Sequence, residues 1–165
     1  MPTALQLAAG DPELAARVRA CRRLLNRRAL AGAAASAVPI PGLDWAVDAA
    51  LLTSLIPEIN AQFGLTPDQI ERLPASKRHQ VQKAVGVVGS VVIGRVVTRE
   101  LVVRLAKTVG VRLTAKQAAK FVPIAGQAVA AMMGYAALRY IGEEHIKDCV
   151  RVCRAAGLAL PPPNR

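Results

Sequence analysis

Proline, glycine and short polar residues divide this chain into segments of helical length. Asp11-Pro12-Glu13 combines an N-cap residue, a first-turn proline and a first-turn acid, which predict a helix running to about Ser36. A second helix is predicted to begin near Asp44, to be kinked at Pro57 and to end before Gly64, since glycine is the usual residue just past a helix end.

Capping signals also predict shorter helices and a long closing one. Thr66-Pro67-Asp68-Gln69 has the spacing of a capping box and predicts a short helix that stops before Pro74. Thr114-Ala-Lys-Gln117 has the same spacing. The last long helix is predicted over residues 126–156, with Gly157 after its end.

The segment from Ser76 to about Gly110 allows two interpretations. Residues 85–97 are so rich in valine that they are also compatible with two buried strands. Gly86, Ser90 and Gly94, however, recur every four residues and so would share one face of a helix. We therefore predict a single long helix here.

The composition favours a fold made of closely packed helices. Hydrophobic residues make up 53% of the 165 residues but aromatics only 3%, so Ala, Val and Leu must build the core. We predict an all-α fold, a compact helical bundle of about four long helices plus short connecting helices. Residues 1–10 are predicted to be a flexible N-terminus, residues 11–157 a single helical domain and residues 158–165 a Pro-rich flexible tail.

A short motif occurs twice. Residues 38–42 and 122–126 share the pattern V-P-I-x-G, and each leads into a long apolar segment. One interpretation is a compact turn between helices, and the other is a pair of related helix-turn-helix halves. Both assign structural turns to the same residues, which are Pro39, Pro41, Gly42, Pro123 and Gly126.

Small residues at helical spacing predict faces where helices approach closely or where two chains associate. One such face contains Gly86, Ser90 and Gly94. The other contains Gly126, Ala130 and Gly134.

The charge balance predicts an anionic partner. The chain has 22 Lys and Arg against 11 Asp and Glu, a formal net charge of +11. Between Glu13 and Asp44 there are arginines but no acid, and we assign these arginines to a membrane- or partner-binding surface. The alternative is a solvated outer face of the bundle. The arginines are Arg17, Arg19, Arg22, Arg23, Arg27 and Arg28.

No pattern in the sequence indicates catalysis. Phosphate-loop, nucleophile-elbow, H-E-x-x-H and C-x-x-C motifs are all absent from the sequence, so we predict no enzyme and no cofactor. His145, Cys149 and Cys153 share one face of the last predicted helix, and Cys21 is a further candidate ligand. Three ligands in a row spread over about 12 Å along a helix, so packing is the favoured role and no metal is predicted.

The cysteine count and the chain start predict a cytoplasmic protein. Three cysteines are an odd number for a disulfide scaffold, and residues 1–14 lack the features of a secretory signal. The longest uncharged run, Phe121 to Leu138, has 18 residues, the lower edge of a membrane span. An integral or pore-forming protein with a hairpin of this run and Ala84 to Gly94 is therefore an alternative.

Two stretches resemble a known helical domain. They are VPIPGLDWAVDAALL (residues 38–52) with FGLT (63–66), and FVPIAGQAVAA (121–131) continuing to KDCVRV (147–152). They resemble the C-terminal helical domain of interferon-inducible, immunity-related GTPases, and the similar bacterial domain of unknown function that accompanies Era-like GTPases. The resemblance spans most of residues 12–155 and implies membrane association and self-assembly. It carries over no catalytic residue, and the GTPase domain itself has no counterpart in this sequence.

The leading hypothesis is a non-enzymatic helical module that associates peripherally with the inner face of an anionic membrane or with an acidic protein. A homo-oligomer and a GTPase acting in trans are further candidate partners. A soluble nucleic-acid-binding bundle is the second alternative, based on ten cations between Lys77 and Lys120 against Glu100 alone. The scarcity of aromatics for base stacking counts against it.

Overall fold

A computed structural model of the chain describes residues 2–35, 43–98, 100–101, 104 and 126–162. Over these ranges the protein is all-α, with no β-strand, as predicted. The helices with defined bounds are α1 (Ala4–Leu7), α2 (Pro12–Ala35), α3 (Leu43–Phe63), α4 (Pro67–Glu71), α5 (Ala75–Val88) and α6 (Gly126–Ala156).

Local side-chain caps start two of these helices where the sequence predicts them. Asp11 Oδ1 accepts a hydrogen bond from the Leu14 backbone N–H at 2.9 Å and so caps α2. Thr66 and Gln69 form a complete capping box at the start of α4, each side chain accepting from the backbone N–H of the other residue.

Glycine ends two of the long helices, also as predicted. After α3, Gly64 has φ +72°, and the N–H of Leu65 donates to the carbonyl of Asn60 at 2.9 Å. After α6, Gly157 has φ +54°, and the N–H of Leu158 donates to Cys153 O at 3.0 Å. Both are Schellman-type endings, in which glycine adopts the left-handed conformation without strain.

The prediction of one helix from Ser76 to about Gly110 is wrong. Helix α5 ends at Val88, and Gly89 (φ +74°) and Gly94 (φ +69°) both have left-handed backbone. Residues 90–98 are non-helical, and the Gly94 N–H donates to Leu65 O at 3.1 Å. This hydrogen bond to a residue distant in sequence replaces the helical one that the periodicity implied.

Because α5 ends at Val88, Gly86, Ser90 and Gly94 do not share one helical face as predicted. Only Gly86 is in a helix, where it is exposed with open space around its Cα. Gly94 packs instead against Ile70 of α4. Of the second face, Gly126 is the first residue of α6, and Ala130 and Gly134 lie on the same helix, but their side-chain surroundings are outside the described part.

Some predictions fall outside the described residues. They are the turn residues Pro39, Pro41, Gly42 and Pro123, the capping box that begins at Thr114, and the repeated motif of residues 38–42 and 122–126 apart from Gly126.

The chain divides into two compact units. The single helical domain over residues 11–157 stays a prediction. Unit 1 consists of Met1–Arg23, Ile56–Val96 and Gly142–Arg165. Unit 2 consists of Leu24–Leu55 and Val97–Ile141.

Unit 1 has a core of aliphatic and sulfur-containing side chains around Phe63. The side chains of Val18, Ile59, Phe63, Val81 and Val150 in this core have no exposed surface. Burial of such side chains stabilises a fold by about 1.5–3 kcal/mol each. Three free cysteines, Cys21, Cys149 and Cys153, are buried in the same unit.

Unit 2 has its own buried apolar residues. Leu25 of α2, Leu55 of α3 and Leu138 of α6 are at most 3% exposed. Beside them, the Arg139 guanidinium donates a hydrogen bond to Asn26 Oδ1 and lies 6.0 Å from the centre of the Tyr135 ring.

Both ends of the chain, which we predicted to be flexible, make contacts in unit 1. Helix α1 lies within residues 1–10, is capped by Thr3 and Gln6, and buries Ala4 completely. In the Pro-rich segment, the carbonyl of Pro161 accepts a hydrogen bond from Arg17, and residues 163–165 are outside the described part.

None of the described helices is both long enough and apolar enough to cross a membrane. Of the uncharged run Phe121 to Leu138, residues 126–138 belong to α6, and the rest lie outside the described ranges. The second arm of the alternative hairpin, Ala84 to Gly94, is not a continuous helix, because α5 ends at Val88.

Two alanine substitutions test where α5 ends. In Gly94→Ala, the new Cβ lies 2.9 Å from Ile70 Cδ1 on a backbone with φ +69°, so we expect a loss of about 2 kcal/mol in unfolding free energy. Gly86→Ala is the matched control, since its Cβ meets open space in a helix and should stabilise by about 0.5–1 kcal/mol. Urea unfolding followed by circular dichroism measures both. If Gly94→Ala stabilises as Gly86→Ala does, residue 94 is helical and the described chain path is incorrect.

Candidate functional site

A buried carboxamide lies in the interior of unit 1. Asn60, near the end of α3, is 1% exposed. Its Nδ2 donates to the carbonyl of Val92 at 3.2 Å, in the non-helical segment after α5. Its Oδ1 is therefore the acceptor and faces α6.

His145 of α6 forms the second bond of this cluster. Its Nε2 lies 2.9 Å from Asn60 Oδ1, and since an amide oxygen only accepts, Nε2 carries the proton. Burial lowers the pKa of His145 to about 4, because a charged imidazolium is poorly solvated there. At neutral pH the ring is thus the neutral Nε2–H tautomer.

Cys149, one turn further along α6, completes the cluster. Its Sγ is 3.7 Å from Asn60 Oδ1, to which the thiol donates, and 3.7 Å from His145 Nε2. Burial raises the pKa of the Cys149 thiol well above its usual range, and the nearby sulfurs of Cys153 and Cys21 raise it further.

A cysteine, a histidine and an asparagine are also the groups of a thiol hydrolase, but this geometry does not activate the thiol. A base must accept the thiol proton, and the nitrogen nearest Cys149 already carries one. Both side chains are buried, so a substrate has no access to the sulfur. The arrangement is that of a satisfied buried polar cluster.

The metal interpretation of these residues gains no support. Burial raises the pKa of both Cys21 and Cys153 to about 12, so both thiols are protonated at neutral pH. The Cys153 thiol donates instead to Phe63 O at 3.6 Å. Across the described ranges, no three His, Cys, Asp or Glu residues are arranged to hold a metal ion.

Sequence reasoning missed Asn60. The available signal was an amide among apolar neighbours of α3, between Ile59 and the end of the helix at Phe63. A polar residue in such a stretch indicates a buried hydrogen-bonded group. Its partners, 32 and 85 residues away, leave no local pattern.

The structure divides the six arginines predicted to form one surface. Arg17 is 5% exposed and donates to Gln62 Oε1 at 3.1 Å and to the carbonyl of Pro161. Arg22 forms a bidentate ion pair with Glu143 of α6, and its hydrogen bonds to that carboxylate raise its pKa. These two arginines are therefore part of unit 1 itself and are withdrawn from the predicted binding surface.

The remaining arginines differ in exposure. Arg19 and Arg23 of unit 1 are exposed and four residues apart on α2, so they lie on the same side of the helix. In unit 2, Arg27 is exposed, whereas Arg28 is half-buried and already engaged with another group of the protein. Three of the six predicted arginines are thus exposed cations.

An open groove of about 530 Å³ lies between the start of α2 and the end of α6. Two of its polar side chains make hydrogen bonds within unit 1: Asp11 caps α2, and the Arg154 guanidinium donates to Leu7 O at 2.5 Å. Lys77 donates to the carbonyls of Ala156 and Gly157 and so completes the end of α6.

Comparison with family models, with curated proteins and with solved structures finds no match for this chain. The resemblance to the helical domains of immunity-related and Era-like GTPases therefore stays a prediction.

Burial of His145 predicts a specific pH dependence of stability. The imidazole pKa falls from its unfolded value of about 6.5 to about 4 on folding, so the unfolded chain takes up a proton first as the pH falls. We expect stability to decrease from pH 6.5 to pH 4, by about 3 kcal/mol from this group. Urea unfolding at stepped pH values measures the loss.

Two glutamine variants isolate that contribution. His145→Gln keeps a neutral donor and removes the titration, so its stability should depend less on pH between 6.5 and 4. His79→Gln alters the exposed histidine and should keep the wild-type pH dependence. Equal slopes for His145→Gln and the wild type would contradict a buried, neutral His145.

The buried thiols also predict slow chemical modification. Because Cys21, Cys149 and Cys153 are buried with raised pKa values, we expect Ellman's reagent to react with native protein roughly 100-fold more slowly than with denatured protein. Absorbance traces with and without denaturant measure the ratio. One thiol that reacts rapidly in native protein would contradict the inert cluster.

Proposed function

We propose that this chain is a non-enzymatic helical module that binds an anionic membrane surface peripherally, through the exposed arginines of α2. The observation that carries the proposal is the exposure of Arg19, Arg23 and Arg27 on a helix with no acid after Glu13. Basic helical surfaces of this kind are attracted to acidic lipid headgroups.

The interior chemistry supports a binding role over a catalytic one. The His145 imidazole and the thiols of Cys149 and Cys153 are neutral, buried and hydrogen-bonded. The cations Arg19, Arg23 and Arg27, in contrast, are exposed. The net charge of +11 favours anionic partners in general, and an acidic protein on the membrane is the alternative partner.

The resemblance to the helical domains of immunity-related GTPases agrees with this proposal, since it implies membrane association by a part without catalytic residues. It also suggests action beside a separately encoded GTPase at the inner face of the cytoplasmic membrane. A nucleic-acid role is less favoured. Among its ten cations, Lys77 is bound to backbone carbonyls, and those from Lys107 to Lys120 lie outside the described residues.

Vesicle flotation with a triple substitution tests the proposal. Each basic residue near an acidic bilayer contributes about 1 kcal/mol, so R19Q/R23Q/R27Q should bind anionic vesicles about 100-fold more weakly than wild type. Binding of wild type should fall as salt rises, and neutral vesicles should not bind it.

Two controls show whether weaker binding comes from the charge and location of these arginines or from loss of structure. R19K/R23K/R27K keeps the three charges and should bind as wild type does. R72E changes one exposed arginine beside α4 and should leave binding unchanged, whereas R23E should weaken it. Absence of wild-type binding to anionic vesicles, or full binding by R19Q/R23Q/R27Q, would overturn the proposal.

A further inference from the structure

Three valines near the end of α5 are exposed to solvent. Val87 is 82% exposed, Val91 45% and Val96 76%. We call residues 87–96 the valine segment; it lies wholly within unit 1. These three are half of the six large apolar side chains that are exposed in the described part of the chain, which makes the segment a candidate interaction surface.

The exposed valines are held outward by the residues between them. Val92 and Ile93 are at most 5% exposed, and the Val92 carbonyl accepts from Asn60 Nδ2 at 3.2 Å. The Gly94 N–H donates to Leu65 O at 3.1 Å, and Gly94 packs on Ile70. Val92, Ile93 and Gly94 are thus held in place by hydrogen bonds and burial. The exposed valines on either side of them could become buried only if these contacts were broken.

The surroundings of the valine segment are positively charged. Residues 75–98 contain Lys77, Arg78, Lys83 and Arg95 and no acid. Lys83 and Arg95 are exposed, one on each side of Val87 and Val91 in the chain. The segment thus combines exposed apolar side chains with flanking cations, as in protein segments that bind at a bilayer interface.

We infer that the valine segment is a second membrane contact, in which Val87, Val91 and Val96 enter the headgroup region of an anionic bilayer while Lys83 and Arg95 bind lipid phosphates. The inference rests on the proposed function. Charge complementarity favours the bilayer over a second copy of this chain, since symmetric pairing would bring two identical sets of cations together.

The first test removes the apolar side chains without changing the charge. V87S/V96S should bind anionic vesicles about tenfold more weakly than wild type and should lose the part of wild-type binding that persists at high salt. M132S/Y140S is the matched control, because Met132 is 70% and Tyr140 56% exposed outside the segment. It should bind as wild type does, and circular dichroism verifies that both variants fold.

The second test measures how deeply residue 87 enters the bilayer. In V87C, a polarity-sensitive maleimide dye should label the new thiol selectively, because the three native thiols are buried. On anionic vesicles we expect its emission to shift to shorter wavelength and to be quenched by lipids spin-labelled near the headgroup.

The outcomes separate the two proposals. If wild-type protein does not bind anionic vesicles, the proposed function fails and this inference fails with it. If wild type binds through the α2 arginines while V87S/V96S binds equally well and dye on V87C does not respond, only this inference is overturned. If V87S/V96S instead abolishes self-association in sedimentation without weakening vesicle binding, a second copy covers the segment and the bilayer contact is overturned.

Discussion

The hydrogen bonds of Asn60 hold together three parts of unit 1 that are far apart in sequence. The carboxamide of α3 donates to the carbonyl of Val92 after α5 and accepts from His145 and Cys149 of α6. A buried polar group left without its partner costs about 1–3 kcal/mol, so each of these contacts restricts the path of the chain. The fixed position of Val92 in turn keeps Val91 exposed beside it.

Two arginines of α2 have side-chain partners in unit 1. Arg17 donates a hydrogen bond to Gln62, and Arg22 forms an ion pair with Glu143, so both arginines are part of the structure of unit 1. Inside, His145 remains neutral, because burial without an acidic partner disfavours the imidazolium. The chemistry of the interior is therefore structural, and the exposed cations that we propose meet a membrane are Arg19, Arg23 and Arg27 with Lys83 and Arg95.

The elements that sequence analysis predicted well are those defined by local interactions. Asp11 caps α2, Thr66 caps α4, and Gly64 and Gly157 end α3 and α6, each through contacts with residues at most five positions away. The end of α5 was mispredicted because it depends on distant contacts, Gly94 with Leu65 and Val92 with Asn60. The division of the arginines was missed for the same reason, since Arg22 and Glu143 are 121 residues apart.

The most direct test of the Asn60 cluster is the tautomer of His145. Long-range ¹H–¹⁵N correlation spectra of the imidazole distinguish the two neutral tautomers and the imidazolium. Because Asn60 Oδ1 accepts from His145 Nε2, we predict the neutral Nε2–H form from pH 5 to pH 8 in folded protein. An Nδ1–H tautomer, or an imidazolium in this pH range, would contradict the cluster and its inert thiol.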